Sequence, residues 1–457
     1  MRRTWRRAIA VAAVAAVAAG LLTGGGRASA DVVARETGAF PGYTLLVPQT
    51  TTETLLLDLD GTPVHTWRSA YLAGNSASLR DDGLLLRPGR VSPVPEAFQA
   101  APGGQGGVIE LLDWDSSVAA SFEYVSDEHI QHHDAISLPN GNVAFLAWDH
   151  KTVDEAVAMG RDPALLADGV LLPDSVVEID PDRGTVVWEW HVWDHLVQDF
   201  DATKPNYGDP SRRPRRIDLN YVHDGAASWN HLNGLAYDAQ HDQIIVSSRH
   251  FSELWVIDHD TTTKQAAGTK GDLLARFGNP AAYGKGTAAD RTLFFQHGPT
   301  VIPKGEPGAG KILVFNNGDE ETRPFSTVDE LTPKRRGGTF AMRDGVFRVA
   351  QERVYPRSTA AGAPMFAEFI SGAERLPNGN TLIVDGPVGT VFEMTPGGTK
   401  VWEYHNDHFA PGPTFQFQGF DIRPERLFTV RRYAAGDPAL KGRDLPPAAP
   451  RQQEYRY

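Results

Sequence analysis

Four short segments of this 457-residue chain carry side chains suited to holding an anion: HHD at 132–134, NHLN at 230–233, RH at 249–250 and QHGP at 296–299. His133, His231 and His297 bring imidazoles, which serve near neutral pH as acid, base, nucleophile or metal ligand. Arg249 adds a fixed positive fork and Asn233 an amide. The only acid in these segments is Asp134. Imidazoles, a guanidinium and an amide without converging carboxylates describe a cradle for an anion with oxygen corners, sulfate or phosphate, whose developing charge they stabilise. The chain has no cysteine, which excludes thiolate nucleophiles, zinc–thiolate sites and iron–sulfur clusters. A three-histidine metal site on His133, His231 and His297 is the alternative.

For segments this far apart to meet, the fold must superpose equivalent positions, and internal repeats do that. HHDAISLPNGNVAFLAW (132–148) is echoed by SGAERLPNGNTLIVDG (371–386), and looser copies start at Gly74, His231, His297 and Gln418. Each reads as strand, tight turn, strand. A second element, two strands around an acidic or glycine turn with a closing aromatic, appears at 55–67, 176–190 and 391–404, and more weakly from Val108, Leu254 and Val328. The two alternate six times, so the chain is expected to be all-β, a six-bladed β-propeller. GYTLLVP (42–48) precedes the first unit and the sixth ends near Tyr433; pairing the N-terminal strand into the last blade would hide both terminal edges. Aligned on their turns, His133 and His297 share a column and His231 lies one residue out of register. Three blades then start their innermost strand with a histidine at one mouth of the channel. Asn233 is expected on the face of His231, and Arg249 follows the next strand. HHD offers His133 by register, with His132 as the other possibility.

The composition, 41% apolar and 22% charged with 45 Gly and 32 Pro, is that of a globular chain. With 44 basic against 57 acidic residues, net −13, capture of nucleic acid or of an anionic membrane is not expected. Residues 1–30, with a basic start, a soft Ala/Val/Leu stretch and Ala28-Ser29-Ala30, read as a signal peptide for the Sec or twin-arginine route. The mature protein is thus expected outside the cell or in the periplasm, and nothing later approaches the length of a membrane span. Residues 31–50 should carry the blade-closing strand, 51–435 the propeller, and 436–457 a Pro-rich tail that is poorly ordered or draped on the surface. GEPGAGK (305–311) imitates a P-loop, but Ile312 replaces its Ser/Thr and a strand follows. The acidic turns at 58–61, 180–184 and 316–321 lack EF-hand spacing, and RRPRR (212–216) reads as a solvated or oligomer-contacting patch. A metal- or quinone-dependent hydrolase or oxidoreductase on this fold calls for channel carboxylates on several blades. A non-catalytic binding propeller calls for a mouth of aromatics without clustered imidazoles.

HHDAISLPNGN, SWNHLNG, SSRH and FFQHGP, in that order and with DGTPVHTW upstream, resemble the bacterial arylsulfate sulfotransferases, the type that uses no phosphoadenosine donor. The resemblance runs over residues 42–433. It implies a six-bladed propeller whose channel mouth moves a sulfuryl group from an aryl sulfate donor to a phenolic acceptor through a sulfohistidine, without metal or nucleotide cofactor. His297 matches the residue that is transiently sulfated; His231, Asn233 and Arg249 match the family's His-x-Asn and arginine, and HHD supplies one more anion contact. The chain departs from the best-known periplasmic members, which carry an N-terminal dimerisation domain and a disulfide, so the sequence assigns no oligomeric state.

Overall fold

The computed structural model describes residues 32–448 apart from 102, 224, 357–364 and 418–419; the leader expected over 1–30 lies outside them. Six antiparallel sheets form the blades of a propeller. Blade 1 holds Ser78–Leu79, Leu85–Arg90, Gly107–Leu112 and Val118–Glu123, and blade 2 holds His129–Ser137, Val143–Asp149, Asp174–Asp180 and Thr185–His191. Blade 3 consists of Leu232–Asp238, Gln243–Ser248, Glu253–Asp258 and Ala275–Phe277; blade 4 of His297–Val301, Ile312–Asn316, Thr327–Pro333 and Val349–Tyr355. Blade 5 runs Gly372–Arg375, Thr381–Asp385, Thr390–Met394 and Lys400–His405, with Val32–Arg35 added outside the last. Blade 6 joins the two ends of the chain. Its innermost strand, Leu427–Tyr433, pairs with Tyr43–Pro48, followed by Glu53–Leu57 and Pro63–Arg68.

One expected hairpin does not form. Residues from Gln418 read as strand, turn, strand, but Phe420–Ile422 pairs with Phe415–Phe417 instead. The innermost strand is left free for Tyr43–Pro48, which satisfies its backbone across the chain termini.

The repeated LPNGN is a structural device. In both copies the first Asn side chain accepts from the backbone N–H of the second at 3.0 Å, and the glycine takes φ of 90° at Gly141 and 88° at Gly379. The second Asn then donates at 2.5 Å to a buried glutamate on the third strand, Asn142 to Glu178 and Asn380 to Glu393. The turn is thereby stitched to the strand two places outward. Closing aromatics lock neighbouring blades together: Trp190 Nε1 donates to the Gly271 carbonyl at 2.8 Å and Trp402 Nε1 to the Leu59 carbonyl at 2.9 Å. At the C-terminal end, Ala439, Leu440 and Ala448 are buried in the cluster that holds Tyr43, Leu45 and Trp67.

A left-handed backbone at Gly141 and Gly379, with no neighbour closer than ordinary van der Waals contact, makes strain the sole cost of adding a methyl group. Gly141→Ala and Gly379→Ala should each destabilise the protein by about 1 kcal/mol, read as a lower unfolding midpoint. An unchanged midpoint in both would contradict the shared role of the two turns.

Candidate functional site

The inner strands of blades 2, 3 and 4 each carry a bulge near their start, between His132 and Ala135, Leu232 and Leu235, and His297 and Thr300. His133 and His231 adopt left-handed φ of 51° and 46°, a conformation that costs a non-glycine residue free energy and recurs where function demands it. His133 and His297, which the turn alignment puts in one column, do not share a ladder position, and His231 differs from both. His297 pairs with Phe315, His133 lies within its bulge, and His231 precedes the first paired residue, Leu232. Bulges and left-handed residues make up the difference, and His133, His231, Arg249 and His297 line one cavity of about 390 Å³ at the channel mouth.

His297 is held at both ring nitrogens. Its Nδ1 faces two oxygens, the Phe295 carbonyl at 3.0 Å and Asn317 Oδ1 at 2.8 Å. The Asn317 amide is itself fixed because its Nδ2 donates to the Ala367 and Ile370 carbonyls at 2.8 and 2.9 Å. Nδ1 therefore carries the proton and Nε2 the lone pair. The Ile370 N–H donates to that Nε2 lone pair at 3.2 Å, a hydrogen bond that must open when Nε2 attacks. His231 Nδ1 meets Ser228 Oγ at 3.2 Å, and its ring lies 4.9 Å from those of both His133 and His250. The Arg249 guanidinium sits 4.9 Å over the Phe295 ring. Gly104 lets the backbone close over His133, since a Cβ there would fall 2.1 Å from His133 Cε1.

Two expected contacts fall elsewhere. His132 lies behind His133, sealed from solvent and stacked on Trp148 at 4.0 Å. It backs His133 instead of lining the cavity, with 2.8 Å between the two Nδ1 atoms. Its Nε2 lies 2.8 Å from Asp174 Oδ1, close but not aligned as a hydrogen bond, and the Ala147 carbonyl faces the same ring. Asn233 sits in the bulge, which turns it toward the next blade, where its Nδ2 donates to the Gln296 carbonyl at 2.9 Å. It does not line the cavity but holds the residue before His297.

The cavity also takes in His250, Asn75, Arg90 and Arg426, none of them singled out from the sequence. A positional signal existed: Arg90 ends the second strand of blade 1, and Arg249 and Asn317 directly follow the second strands of blades 3 and 4. Among the described residues no group of three or more His, Asp or Glu is placed to hold a metal ion, so the three imidazoles are not arranged as a ligand set.

Burial pushes His133, His231 and His297 well below the ordinary histidine range, and their proximity to one another and to Arg249 lowers them further. Asn317 and the Phe295 carbonyl oppose this at His297 without supplying a charge. His297 should thus remain neutral in histidine NMR titrations down through pH ~6.5, the unperturbed midpoint. Asn317→Asp should raise its midpoint, since a carboxylate on Nδ1 favours the imidazolium. A wild-type ring that titrates at or above the ordinary value would refute this electrostatic account.

The family model for Arylsulfotransferase (ASST) matches residues 119–418. Among solved structures, the chain is similar to a Bacteroides caccae protein of unknown function, at 12% identity and TM-score 0.43 over 80% of this chain and 93% of that one. It is also similar to the Cps50 (Swd1) β-propeller domain of Myceliophteria thermophila, at 11% identity and TM-score 0.41 over 81% and 89%. Virginiamycin B lyase from Staphylococcus aureus gives 9% identity and TM-score 0.37 over 82% and 87%. At these scores the structural likenesses carry no functional argument, and a search of curated proteins finds no match. The family match spans blades 2 to 5 and every histidine of the cavity, and on it the chain belongs to the arylsulfotransferase family.

Proposed function

We propose that the cavity transfers a sulfuryl group from an aryl sulfate donor to a phenolic acceptor through a covalent intermediate on His297 Nε2. The observation that carries this reading is the pair of acceptors on His297 Nδ1, Phe295 O and Asn317 Oδ1, which leaves a neutral ring with its lone pair on Nε2. A neutral imidazole is the nucleophilic form.

In the first half-reaction the Nε2 lone pair forms the N–S bond while the S–O bond to the donor breaks. The phenolate leaves with the bonding pair. Like phosphoryl transfer, this step spreads charge over equatorial and leaving oxygens, so positioning and electrostatics dominate. Arg249 and His231 face those oxygens, and the Ile370 N–H beside Nε2 is a donor for one of them once the N–S bond exists. His133 protonates the departing phenolate. Its proton is replaced from His132 across the Nδ1 contact, and that of His132 from the Asp174 carboxyl once a small rotation aligns Oδ1 with the Nε2 atom 2.8 Å away. Burial favours this route: it pushes His132 down to about 3 and raises Asp174 well above the carboxylate range, so both rings stay neutral while the carboxyl carries the proton. The second half-reaction reverses each step. The acceptor phenol gives its proton to His133, its oxygen attacks sulfur, and the N–S bond breaks to restore the Nε2 lone pair. Neither step calls for a nucleotide, which suits a chain whose first 30 residues read as an export signal.

Incubation with 4-nitrophenyl sulfate and a free phenol, with no metal or nucleotide added, should give ping-pong turnover. His297→Ala should abolish both half-reactions, and His231→Asn or Arg249→Ala should slow them by roughly 10²–10³. Donor alone, followed by alkaline quench, should leave a sulfuryl adduct on the peptide that carries His297. Turnover that survives His297→Ala, or that a chelator abolishes, would overturn the proposal.

A further inference from the structure

The cavity holds more positive charge than one sulfuryl group needs. Among the described residues its lining includes three arginines, Arg90, Arg249 and Arg426, and no aspartate or glutamate. In a ring of six blades, members three apart face each other, so blade 1 lies opposite blade 4 and blade 6 opposite blade 3. Arg90 ends the second strand of blade 1, across the mouth from His297 on blade 4. Arg426 immediately precedes the inner strand of blade 6, across from His231 and Arg249 on blade 3. Between the two sides stands Phe428, its ring 6.0 Å from that of His133 and 6.5 Å from that of His297. Phe369, Ile370 and Ile422 complete an apolar wall.

Among the described residues each of the far arginines donates to a backbone carbonyl. Arg90 Nη2 donates to the Ala73 carbonyl at 3.1 Å, and Arg426 Nη1 to the Arg423 carbonyl at 2.8 Å, whereas a guanidinium has five N–H groups. Burial lowers both from the ordinary arginine value; Arg90 repels Arg426, and Glu425 only partly offsets this. Two half-buried guanidinium groups that repel each other at the edge of a cavity whose described lining holds no carboxylate are stabilised by an anion between them.

We propose that Arg90 and Arg426 form a second anion subsite, and that the aryl group preferred by this protein carries a second anionic substituent, a carboxylate or another sulfate, on the side of the ring away from the transferred group. This rests on the sulfuryl-transfer reading above. The aryl ring lies against Phe428 with one anionic end among the histidines and the other between the two arginines. The long axis of the substrate thereby fixes which end presents sulfur to His297.

The test compares 4-carboxyphenyl sulfate with its methyl ester as donors, which keeps the leaving group nearly constant while removing the second charge. The wild-type protein should favour the acid in kcat/KM. Arg90→Gln and Arg426→Gln should each lower the acid-to-ester ratio by roughly 10- to 100-fold, the usual range for losing a hydrogen bond to a charged group. Arg90→Lys and Arg426→Lys, which keep the charge, should retain part of the preference and guard against misfolding as the cause. A wild-type ratio near one, or a ratio the glutamine variants leave unchanged, would overturn the proposal and would reduce the arginines to a general attraction for aryl sulfates. Calorimetric binding of 4-hydroxybenzoate against its methyl ester separates the two readings. If neither donor turns over, sulfuryl transfer fails; the subsite stands only if the acid still binds more tightly and the glutamine variants remove that difference.

Discussion

The ladder between Tyr43–Pro48 and Leu427–Tyr433 is the constraint on which the site depends. Neighbouring blades meet mainly by packing, whereas blade 6 builds its sheet from both ends of the chain, and Val32–Arg35 on the outer edge of blade 5 adds a second backbone tie. The register in blade 6, Tyr43 with Tyr433 and Leu45 with Arg431, sets the circumference. The buried Arg432 reinforces the seam, reaching Thr44 Oγ1 at 2.7 Å, the Phe40 carbonyl at 3.1 Å and Glu393 of blade 5 at 3.2 Å. Without closure, blades 1 and 6 would not face blades 4 and 3, and the cavity would lack one wall.

Within the closed ring, charge is sorted by depth along the inner strands. Histidines and arginines occupy the mouth, and the first carboxylates appear one or two residues further along. Asp134 follows His133 and accepts from the Leu235 N–H of the next blade at 3.1 Å. Glu374 accepts from the Arg432 N–H at 2.9 Å and lies 3.7 Å from Arg431. These acids bridge neighbouring blades and spend their charge on backbone donors and Arg431. The bulge that holds both residues is what permits this: it re-aims adjacent side chains, so His133 faces the cavity while Asp134 accepts from the Leu235 and Ala135 N–H groups.

The same bulge accounts for the division of work between His132, the last paired residue before it, and His133 within it. One faces the cavity and the other the blade interior, where Asp174 and Trp148 enclose it. Removing an imidazole from water penalises its charged form, and removing a carboxyl penalises its anion. A buried chain of two rings and one carboxyl therefore stays neutral when the carboxyl holds the proton. Asn317 follows the same logic on the other side of the site, fixing a tautomer with an amide where a carboxylate would have stabilised the imidazolium.

From the sequence alone came the period, and with it the six blades, the all-β class and the closing strand, because hydrophobic alternation and the LPNGN turns are local and repeat. That His133, His231, Arg249 and His297 would meet in one cavity was also legible, since repeats place the starts of inner strands around one channel. Three things were decided only in three dimensions. Bulges, which do not announce themselves in composition, turned Asn233 toward Gln296 and brought unequal ladder positions to one mouth. The partners of His297 and His132, Asn317 and Asp174, come from other strands, and nothing in HHD or QHGP marks them. Arg90 and Arg426, far apart in the chain, face the histidines only because the ring closes, and a sequence carries no local trace of which blades end up opposite one another.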